Sequence, residues 1–300
     1  MTSGGGRLGV LSGAPADETQ PAPRARLVIK RLPRREGRAV VHPPPVPDPT
    51  LAFYEGLAAD YHLVYGDRWD EAVARQGAVL ERLIRRTHPD ARDVLDCSCG
   101  IGTQAIGLAL RGFRVRGTDI SPRSIERARA EAARLGAGLD LAVDDFRRLD
   151  SVAGGLDVVI SCDNAIPHLM SGEDVVRALR AMRSKLRSGG LLAVSVRDYE
   201  AALADRPAMA PPLLIEGPPR RIFVRMHDWD GPESRFYTVH FFVLTEEPDA
   251  WALAQHAARY RAITAAELGA AAVEAGFGDV AWHAAGDVGF HQPVMTAVNP

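Results

Sequence analysis

The chain has 300 residues, 46% of them hydrophobic and 25% charged, which is enough for one large core that needs no metal or disulfide. Its formal net charge of -2 gives no positive field for a polyanion, so we expect no nucleic-acid partner. Three cysteines are too few for a disulfide framework, and their spacing does not fit a metal site. The apolar runs are too short to span a membrane. We therefore expect a cytoplasmic protein without a metal site.

The first part of the chain divides into a tail and a helical segment. Residues 1–48 are rich in proline, glycine and arginine, and we predict a disordered tail there, with a weak strand signal over residues 27–29. From residue 51 to residue 87, apolar and aromatic residues recur at helical spacing, broken by Gly66-Asp67. We therefore predict an N-terminal helical lid over residues 49–90.

Short apolar strands alternate with amphipathic helices in the predicted core, residues 91–200. Such alternation predicts a parallel sheet with helices on both faces. The strands are predicted over residues 93–97, 114–118, 139–143, 156–161 and 191–196, and the helices over residues 104–111, 122–135 and 172–186.

The last hundred residues change pattern. Alternating apolar and polar residues over 221–228, 235–244 and 250–260 predict an antiparallel insertion within residues 201–262. Residues 263–300 should return to the core with a helix over 264–275 and two strands over 280–283 and 292–298. The whole predicts a doubly wound α/β sheet of about seven strands, the last of them antiparallel.

A glycine-containing loop follows the first predicted strand of the sheet. Residues 96–103 read Asp-Cys-Ser-Cys-Gly-Ile-Gly-Thr and connect that strand to a helix. Ligands bind at this turn of a doubly wound sheet, and Gly100 and Gly102 permit a close approach of the backbone. Asp96 is placed either to fix the loop or to meet the ammonium group of an amino-acid-like cofactor.

Charge separates two cofactor classes at this loop. A nicotinamide dinucleotide site needs a third glycine where the sequence has Ala105, and Asp96 would repel its pyrophosphate. S-adenosylmethionine has no phosphate and carries a sulfonium and an ammonium, so the acidic residue favours it. Asp119 ends the second strand, where a carboxylate accepts ribose hydroxyls. Asp145 and Phe146 follow the third strand, where they suit an adenine.

The order of these motifs resembles the class I S-adenosylmethionine-dependent methyltransferases over residues 61–199. Within that superfamily, residues 65–67, 96–102, 164–169 and 189–199 are similar to the glycine and sarcosine N-methyltransferase branch. The resemblance implies a doubly wound, Rossmann-like seven-stranded methyltransferase sheet with an N-terminal helical lid and an antiparallel β insertion. The sequence departs from the branch at Ser98, which replaces a smaller residue, and at Asp163, which replaces a glycine of the acceptor pocket.

The resemblance also implies which residues hold the cofactor, S-adenosylmethionine. The lid would close over it, the glycine loop would face its methionine end, and the residues after the second and third strands would hold its ribose and adenine. The predicted cofactor-binding residues are Tyr61, Asp96, Gly100, Gly102, Asp119, Ile120, Asp145, Phe146 and Cys162.

The acceptor residues are predicted from the ends of the fourth and fifth strands. Asn164 and Arg197 would position an amino-acid substrate, the arginine through a bidentate contact with its carboxylate, and Tyr199 completes the predicted substrate contacts. His168 is the candidate base or substrate orienter, with helix capping as the alternative. His291 precedes the last strand, from where it could reach the pocket.

We predict methyl transfer from S-adenosylmethionine to a small-molecule acceptor, most directly at the nitrogen of an amine or amino-acid-like substrate. Methylation at oxygen or carbon of a specialised metabolite stays open, because a fold alone does not select the acceptor. A protein that binds the cofactor without catalysis is a further alternative. That alternative predicts a filled acceptor pocket with Asn164, His168 and Arg197 turned away. The sequence leaves a homo-oligomer open.

Overall fold

Two β-sheets and the helices around them account for residues 27–28 and 48–300, the part of the chain that the computed structural model describes. The helices are α1 (Pro49–Leu57), α2 (Trp69–Thr87), α3 (Thr103–Ala109), α4 (Pro122–Leu135), α5 (Gly172–Lys185), α6 (Tyr199–Asp205), α7 (Ala265–Glu274) and α8 (Ala285–Val288). Two short 3₁₀ segments cover Tyr61–Tyr65 and Ile166–His168.

The strands follow the same chain order. They are β1 (Leu27–Val28), β2 (Asp93–Asp96), β3 (Arg114–Asp119), β4 (Asp140–Val143), β5 (Leu156–Ser161), β6 (Leu186–Ser195), β7 (Leu213–Ile215), β8 (Arg221–Trp229), β9 (Phe236–Glu247), β10 (Ala250–Arg261), β11 (Gly278–His283) and β12 (Val294–Val298).

The larger sheet has seven strands in the order β11-β12-β6-β5-β2-β3-β4. Strands β6, β5, β2, β3 and β4 are parallel, whereas β12 pairs with β6 in the antiparallel sense. The predicted seven-stranded sheet with an antiparallel last strand is therefore confirmed. Because β2 lies between β5 and β3, the loop after β2 opens at the carboxyl edge where ligands bind in such sheets.

Helix α4 of the core begins and ends at the capping residues that the sequence predicts. The hydroxyl of Ser121 accepts a hydrogen bond of 3.0 Å from the backbone of Ser124, and Pro122 occupies the first turn of α4. Gly136 ends the helix in the left-handed conformation, with φ of 70°. The predicted helix over residues 122–135 thus matches the structure at both ends.

The second sheet has five strands in the order β1-β10-β9-β8-β7 and contains the predicted antiparallel insertion. Its inner face packs on the core, because Phe223, Tyr237, Val239 and Phe241 are buried at alternating positions. The phenyl rings of Phe53 in α1 and Phe241 lie 5.2 Å apart, so the lid and the insertion meet each other directly.

The expectation of a disordered tail over residues 1–48 requires one correction. Residues 27–28 form β1, which pairs in parallel with β10, and Asp48 caps α1 by accepting from the backbone of Thr50. The pairing matches the weak strand signal at residues 27–29 and covers only Trp251 and Ala252 at the start of β10. The remainder of the predicted tail lies outside the described residues.

Three further differences concern strand and helix boundaries. Strand β6 begins at Leu186, before the predicted residue 191, because the Arg-Ser-Gly-Gly stretch that resembles a turn is absorbed as an irregularity in the pairing with β5. Strand β12 begins only after Pro293, which lacks a backbone donor. Helices α6 and α8 and strand β7 were not predicted. Among the described residues, no helix is both long and apolar enough to cross a bilayer.

Helix α2 of the lid is packed tightly on α3, the helix that follows the glycine loop. A methyl group added at Gly77 would lie 2.5 Å from the carbonyl oxygen of Gly107, so the two backbones touch without intervening side chains. Two side-chain contacts flank this crossing: the indole of Trp69 donates to Thr103 at 3.0 Å, and Gln104 donates to Gln76 at 2.6 Å. The lid helix therefore fixes the start of α3.

Candidate active site

The glycine loop between β2 and α3 borders a cavity of about 360 Å³, which we call the cofactor cavity. Gly100 has φ of 53° and Gly102 has φ of 96°, a region that side chains disfavour. Gly100 borders the cavity, and its backbone amide donates to the carboxylate of Asp119 at 2.9 Å. Gly102 lies behind the loop, where a methyl group would meet the side chain of Ile106 at 2.8 Å.

Asp119 connects the loop to the second strand of the core. One carboxylate oxygen accepts from Gly100, and the other accepts from the backbone of Ser121 at 2.9 Å. Burial raises the pKa of Asp119 to about 6. Each oxygen retains a lone pair toward the cofactor cavity, which is what a ribose diol requires. Asp119 is thus placed where it can make the predicted contact with a ribose.

Asp96 is fully buried beneath the loop. Its Oδ1 accepts from the backbone of Ser98 at 3.3 Å, while Oδ2 has no hydrogen-bond partner. Burial raises the pKa of this carboxyl to about 8. The side chain is not among those that line the cofactor cavity, so of the two roles predicted for it, the geometry favours fixing the loop.

The far end of the cofactor cavity is formed after β4. Phe146 and Ile120 border it, and Asp145 forms an ion pair of 2.6 Å with Arg147, whose guanidinium also approaches Asp48 at 3.3 Å. Arg147 donates to both carboxylate oxygens of Asp145, from its backbone amide and from its guanidinium, and so occupies the acceptors that an adenine amino group would use. The aromatic ring of Phe146 is the feature of this end that suits a purine.

These observations fit S-adenosylmethionine better than a phosphate-bearing cofactor. Among the described residues, the two basic side chains that border the cavity are already paired, Arg147 with Asp145 and Arg259 with Asp230. Among these residues no free cation therefore meets a pyrophosphate at this loop, whereas the carboxylate of Asp119 borders the cavity and favours a cationic cofactor. Cys162 and Tyr61 complete the wall, as predicted residues of the cofactor site.

A second cavity, of about 630 Å³, lies beside the first and is called the acceptor cavity below. Tyr61 and Asp163 border both cavities, so the two spaces share a wall. The predicted substrate residues Asn164 and Arg197 border the acceptor cavity. The remaining residues that line it are Phe53, Val64, Tyr65, Arg75, Asp198, Arg225, Phe241, Tyr260, Ala284, Ala285, His291, Gln292 and Pro293.

Asn164 is held rigidly at the end of the fourth core strand. Its Oδ1 accepts from the backbone of Arg197 at 3.1 Å and from the hydroxyl of Tyr199 at 3.0 Å. Its Nδ2 is buried without a partner, which leaves a donor for a ligand. Tyr199 is itself buried and bonds to Tyr237, so it orients Asn164 instead of lining the cavity.

Asp163, which departs from the resembled branch, has φ of 58° and sits at the shared wall. Its Oδ2 accepts from Gln104 at 2.8 Å and from the hydroxyl of Tyr65. Its Oδ1 lies 2.5 Å from Nε2 of His291, which borders the acceptor cavity. Burial opposes the charge of Asp163, but these contacts outweigh it and lower its pKa.

His168 borders the cofactor cavity and is not among the residues that line the acceptor cavity. Its Nε2 lies 2.8 Å from the hydroxyl of Tyr54, and its ring is 4.2 Å from that of Tyr260. Burial lowers the pKa of His168 to about 4, so the imidazole is neutral at pH 7. The predicted base therefore lies on the cofactor side of Tyr260, a residue that lines the acceptor cavity, and does not itself border that cavity.

Sequence reasoning missed several residues that the fold brings to these cavities. Gln104 and Tyr54 follow the periodicity of core helices, and nothing in the sequence distinguishes them. Arg225 gave no such signal either, because period two places it with Arg221 and His227 on the more polar face of residues 221–229. His291 was noted before the last strand but was given no role.

Comparison with known proteins agrees with this geometry. Residues 94–190 match the family model of a methyltransferase domain. A glycine/sarcosine N-methyltransferase from Parasynechococcus marenigrum is 33% identical over 145 residues, 46% of this chain and 51% of that protein. The human glycine N-methyltransferase is 33% identical over 176 residues, 53% of this chain and 58% of that protein. The chain thus spans roughly half the length of these curated relatives.

Solved structures extend the comparison to most of the chain. DesVI from Streptomyces venezuelae superposes with a TM-score of 0.69 at 19% identity, covering 81% of this chain and 98% of DesVI. The sugar N-methyltransferase KedS8 from a Streptoalloteichus species gives 0.65 at 18% identity, covering 88% and 98%. At such identities the likeness establishes the fold. The matched methyltransferase domain and the shared fold support a class I S-adenosylmethionine-dependent methyltransferase domain in this chain.

Proposed function

We propose that the chain transfers the methyl group of S-adenosylmethionine to the nitrogen of a small amine that carries a carboxylate. The observation that carries the proposal is that a cavity suited to the cofactor adjoins, at Tyr61 and Asp163, a cavity that holds Asn164 and Arg197. Direct methyl transfer requires the acceptor atom to contact the methyl group, and adjoining cavities are the arrangement that permits this contact.

A carboxylate is the group that best suits the Asn164 end of the acceptor cavity. The unpartnered Nδ2 of Asn164 is a donor, and no carboxylate among the described residues forms an ion pair with Arg197. The guanidinium of Arg197 lies 5.8 Å from the ring of Tyr260 and also interacts with the hydroxyl of Tyr237, and its five donors exceed what these neighbours use. A bidentate arginine contact with one amide donor is a common arrangement for carboxylate recognition.

When bound, S-adenosylmethionine supplies a methyl group on a cationic sulfur, and displacement leaves that sulfur neutral. The protein therefore has to align the acceptor nitrogen with the methyl group and exclude water. Tyr61 suits this task because it borders both cavities, and burial raises the pKa of its phenol so that it stays neutral. Tyr61 thus shapes the wall without competing for the methyl group as a phenolate.

An amine must lose a proton to become a nucleophile, and we assign that step to His291. Its imidazole borders the acceptor cavity, and Asp163 at 2.5 Å stabilises the imidazolium that forms when it accepts the proton. His291 would thereby leave the acceptor nitrogen with the free lone pair that methylation requires. His168 remains a predicted orienting residue, held by Tyr54 on the cofactor side.

The relatives support nitrogen as the acceptor atom, since glycine/sarcosine N-methyltransferases and a sugar N-methyltransferase are among the similar proteins. The acceptor cavity also argues against a protein that binds the cofactor without catalysis. That alternative predicts a filled pocket, whereas the space beside Asn164 and Arg197 is about 630 Å³. Oxygen or carbon acceptors are separated from nitrogen by the experiment that follows.

The test begins with calorimetric titration of the full chain with S-adenosylmethionine, S-adenosylhomocysteine and NAD. We expect the first two to bind and NAD not to bind, and Asp119→Ala to weaken binding because it removes the ribose contact and the loop hydrogen bond. Mass spectrometry of reactions with amino acids, their decarboxylated amines and hydroxy acids then identifies the product. Methylation of amines regardless of a carboxylate, or of hydroxy acids alone, would contradict the proposal.

A further inference from the structure

We propose that the acceptor cavity contains a second anion-binding subsite at Arg225, so that the acceptor carries two negatively charged groups. The inference rests on the function proposed above and adds to it the charge of the substrate. It concerns a residue of the inserted sheet, remote in sequence from the loops that hold the cofactor.

Arg225 lies on the inner face of β8. Two residues before it, Phe223 is buried in the core, and alternation along a strand puts both side chains on the same face. Its partner across the ladder, Phe241, borders the acceptor cavity as Arg225 does. A charged side chain therefore stands in an apolar, aromatic surface, where desolvation makes it costly.

Nothing in the described part of the chain neutralises this guanidinium. Its Nε is buried without a hydrogen-bond partner, and no carboxylate forms an ion pair with it. Burial and the nearby charge of Arg197 lower the pKa of Arg225 to about 10, which leaves it protonated at neutral pH. A protein gains nothing in stability from two adjacent cations of this kind, so their use lies in binding.

The other charged groups of the cavity do not cancel the two arginines. Asp163 is engaged by Tyr65, Gln104 and His291, and Asp198 is exposed and caps α6 by accepting from Ala201. Arg75 at the exposed edge adds a third positive charge. The interior of the acceptor cavity is consequently electropositive around Arg197 and Arg225.

One carboxylate satisfies only one of the two guanidinium groups. With that carboxylate on Arg197 and Asn164, Arg225 still needs an anion, and the chemistry that fits is a second carboxylate or a phosphoryl group on the same acceptor. With either group the acceptor would be an amine that carries two anionic groups, and the following experiment distinguishes the two possibilities.

The test is calorimetric titration of the full chain, saturated with S-adenosylhomocysteine, with glycine, aspartate and 2-amino-3-phosphonopropionate, the phosphonate analogue of aspartate. We expect the better of the two doubly charged probes to bind at least about ten-fold more tightly than glycine, as a further charge-assisted contact provides. Preference for aspartate identifies a second carboxylate, and preference for the phosphonate identifies a phosphoryl group. Equal affinities for all three, or binding of neither doubly charged probe, would overturn the inference.

The Arg225→Met variant supplies the residue-level test, with Arg225→Gln as a polar second variant. The advantage of the doubly charged probe should disappear in both variants, while glycine affinity changes by less than about two-fold and S-adenosylhomocysteine still binds. An equal loss of glycine and of the doubly charged probe would show that Arg225 is not a separate subsite. Failure of the parent chain to bind S-adenosylhomocysteine would instead remove the proposed function itself.

Discussion

Nε2 of His291 lies 2.5 Å from Oδ1 of Asp163, and this pair stands at the wall between the cofactor cavity and the acceptor cavity. The contact joins the segment before the last strand to the loop after the fourth core strand. Replacing His291 by glutamine should lower kcat by about 100-fold, the lower end of what a positioned base contributes. The loss should diminish as pH rises, because the free amine then forms in solution. Steady-state kinetics across pH measures both effects.

A suitable control for that variant is His240→Gln. His240 pairs with Asp228 at 2.9 Å on the inserted sheet and does not border the acceptor cavity. The kcat of the His240→Gln variant should stay within about two-fold of the parent value, as expected for a substitution away from the active site. An H291Q variant whose deficit is constant at every pH would show that the histidine has no part in proton removal.

Removing the guanidinium of Arg197 should act on the acceptor and leave the cofactor alone. In Arg197→Met, kcat/KM for the acceptor should fall by about 30-fold to 1,000-fold, the usual loss when one partner of a buried charged pair is truncated. Affinity for S-adenosylhomocysteine, measured by calorimetry, should be unchanged because Arg197 does not line the cofactor cavity. The matched control is Arg68→Met, whose side chain is exposed and forms an ion pair with Glu71.

The buried carboxyl of Asp96 should make the unliganded protein less stable as pH rises. Burial raises its pKa from 3.8 to about 8, so the folded chain holds an additional proton between these values. The contribution of this group to the free energy of unfolding is fully present below pH 3.8. It decreases as pH rises and is lost once pH passes through about 8. Each pH unit inside the window costs up to about 1.4 kcal/mol.

Urea unfolding at pH 6 and pH 8 tests this dependence. The fall in stability between the two pH values should be smaller in Asp96→Asn than in the parent, whereas the exposed Asp90→Asn should behave as the parent does. An Asp96→Asn protein with an undiminished fall would mean that the carboxyl is already ionised in the folded state.

The contact between Gly77 and Gly107 predicts a specific cost for an added methyl group. In Gly107→Ala, the new Cβ would meet the carbonyl oxygen of Val73 at 2.5 Å, so α2 and α3 must separate. The free energy of unfolding should fall by about 1–3 kcal/mol. Gly172→Ala is the control, because a Cβ there meets nothing within 4 Å. Equal stability of the two variants in urea would contradict close packing at this crossing.

The core of the fold is predictable because its signals are local. Ser121-Pro122 and Gly136 mark the ends of α4, and a run of apolar residues identifies β5 over Leu156–Ser161. The start of β6 is not determined by a local signal, since it depends on how the Arg-Ser-Gly-Gly stretch pairs with β5. The same holds for β1, whose place beside β10 depends on a partner more than 200 residues away.

Some site residues can likewise be predicted from local signals in the sequence, and others cannot. The loop and Asp119 follow from strand ends, which all meet at one edge of a parallel sheet. The division into two cavities does not, because it depends on which helix or inserted strand covers each strand end. His168 and Asn164 are four residues apart in sequence, yet His168 borders the cofactor cavity and Asn164 the acceptor cavity. Only the three-dimensional arrangement separates them.

The backbone contact of Gly77 with Gly107 has a consequence for how molecules enter and leave. Helix α2 is joined to α3 by that contact and by the Trp69–Thr103 and Gln76–Gln104 hydrogen bonds, so it cannot swing away without breaking the first helix of the core. Helix α1 is held by side chains instead: Phe53 packs on Phe241, and Glu55 accepts from the hydroxyl of Ser121 and the backbone of Arg123. Any opening of the cofactor cavity that leaves the core helix α3 intact must therefore leave α2 in place.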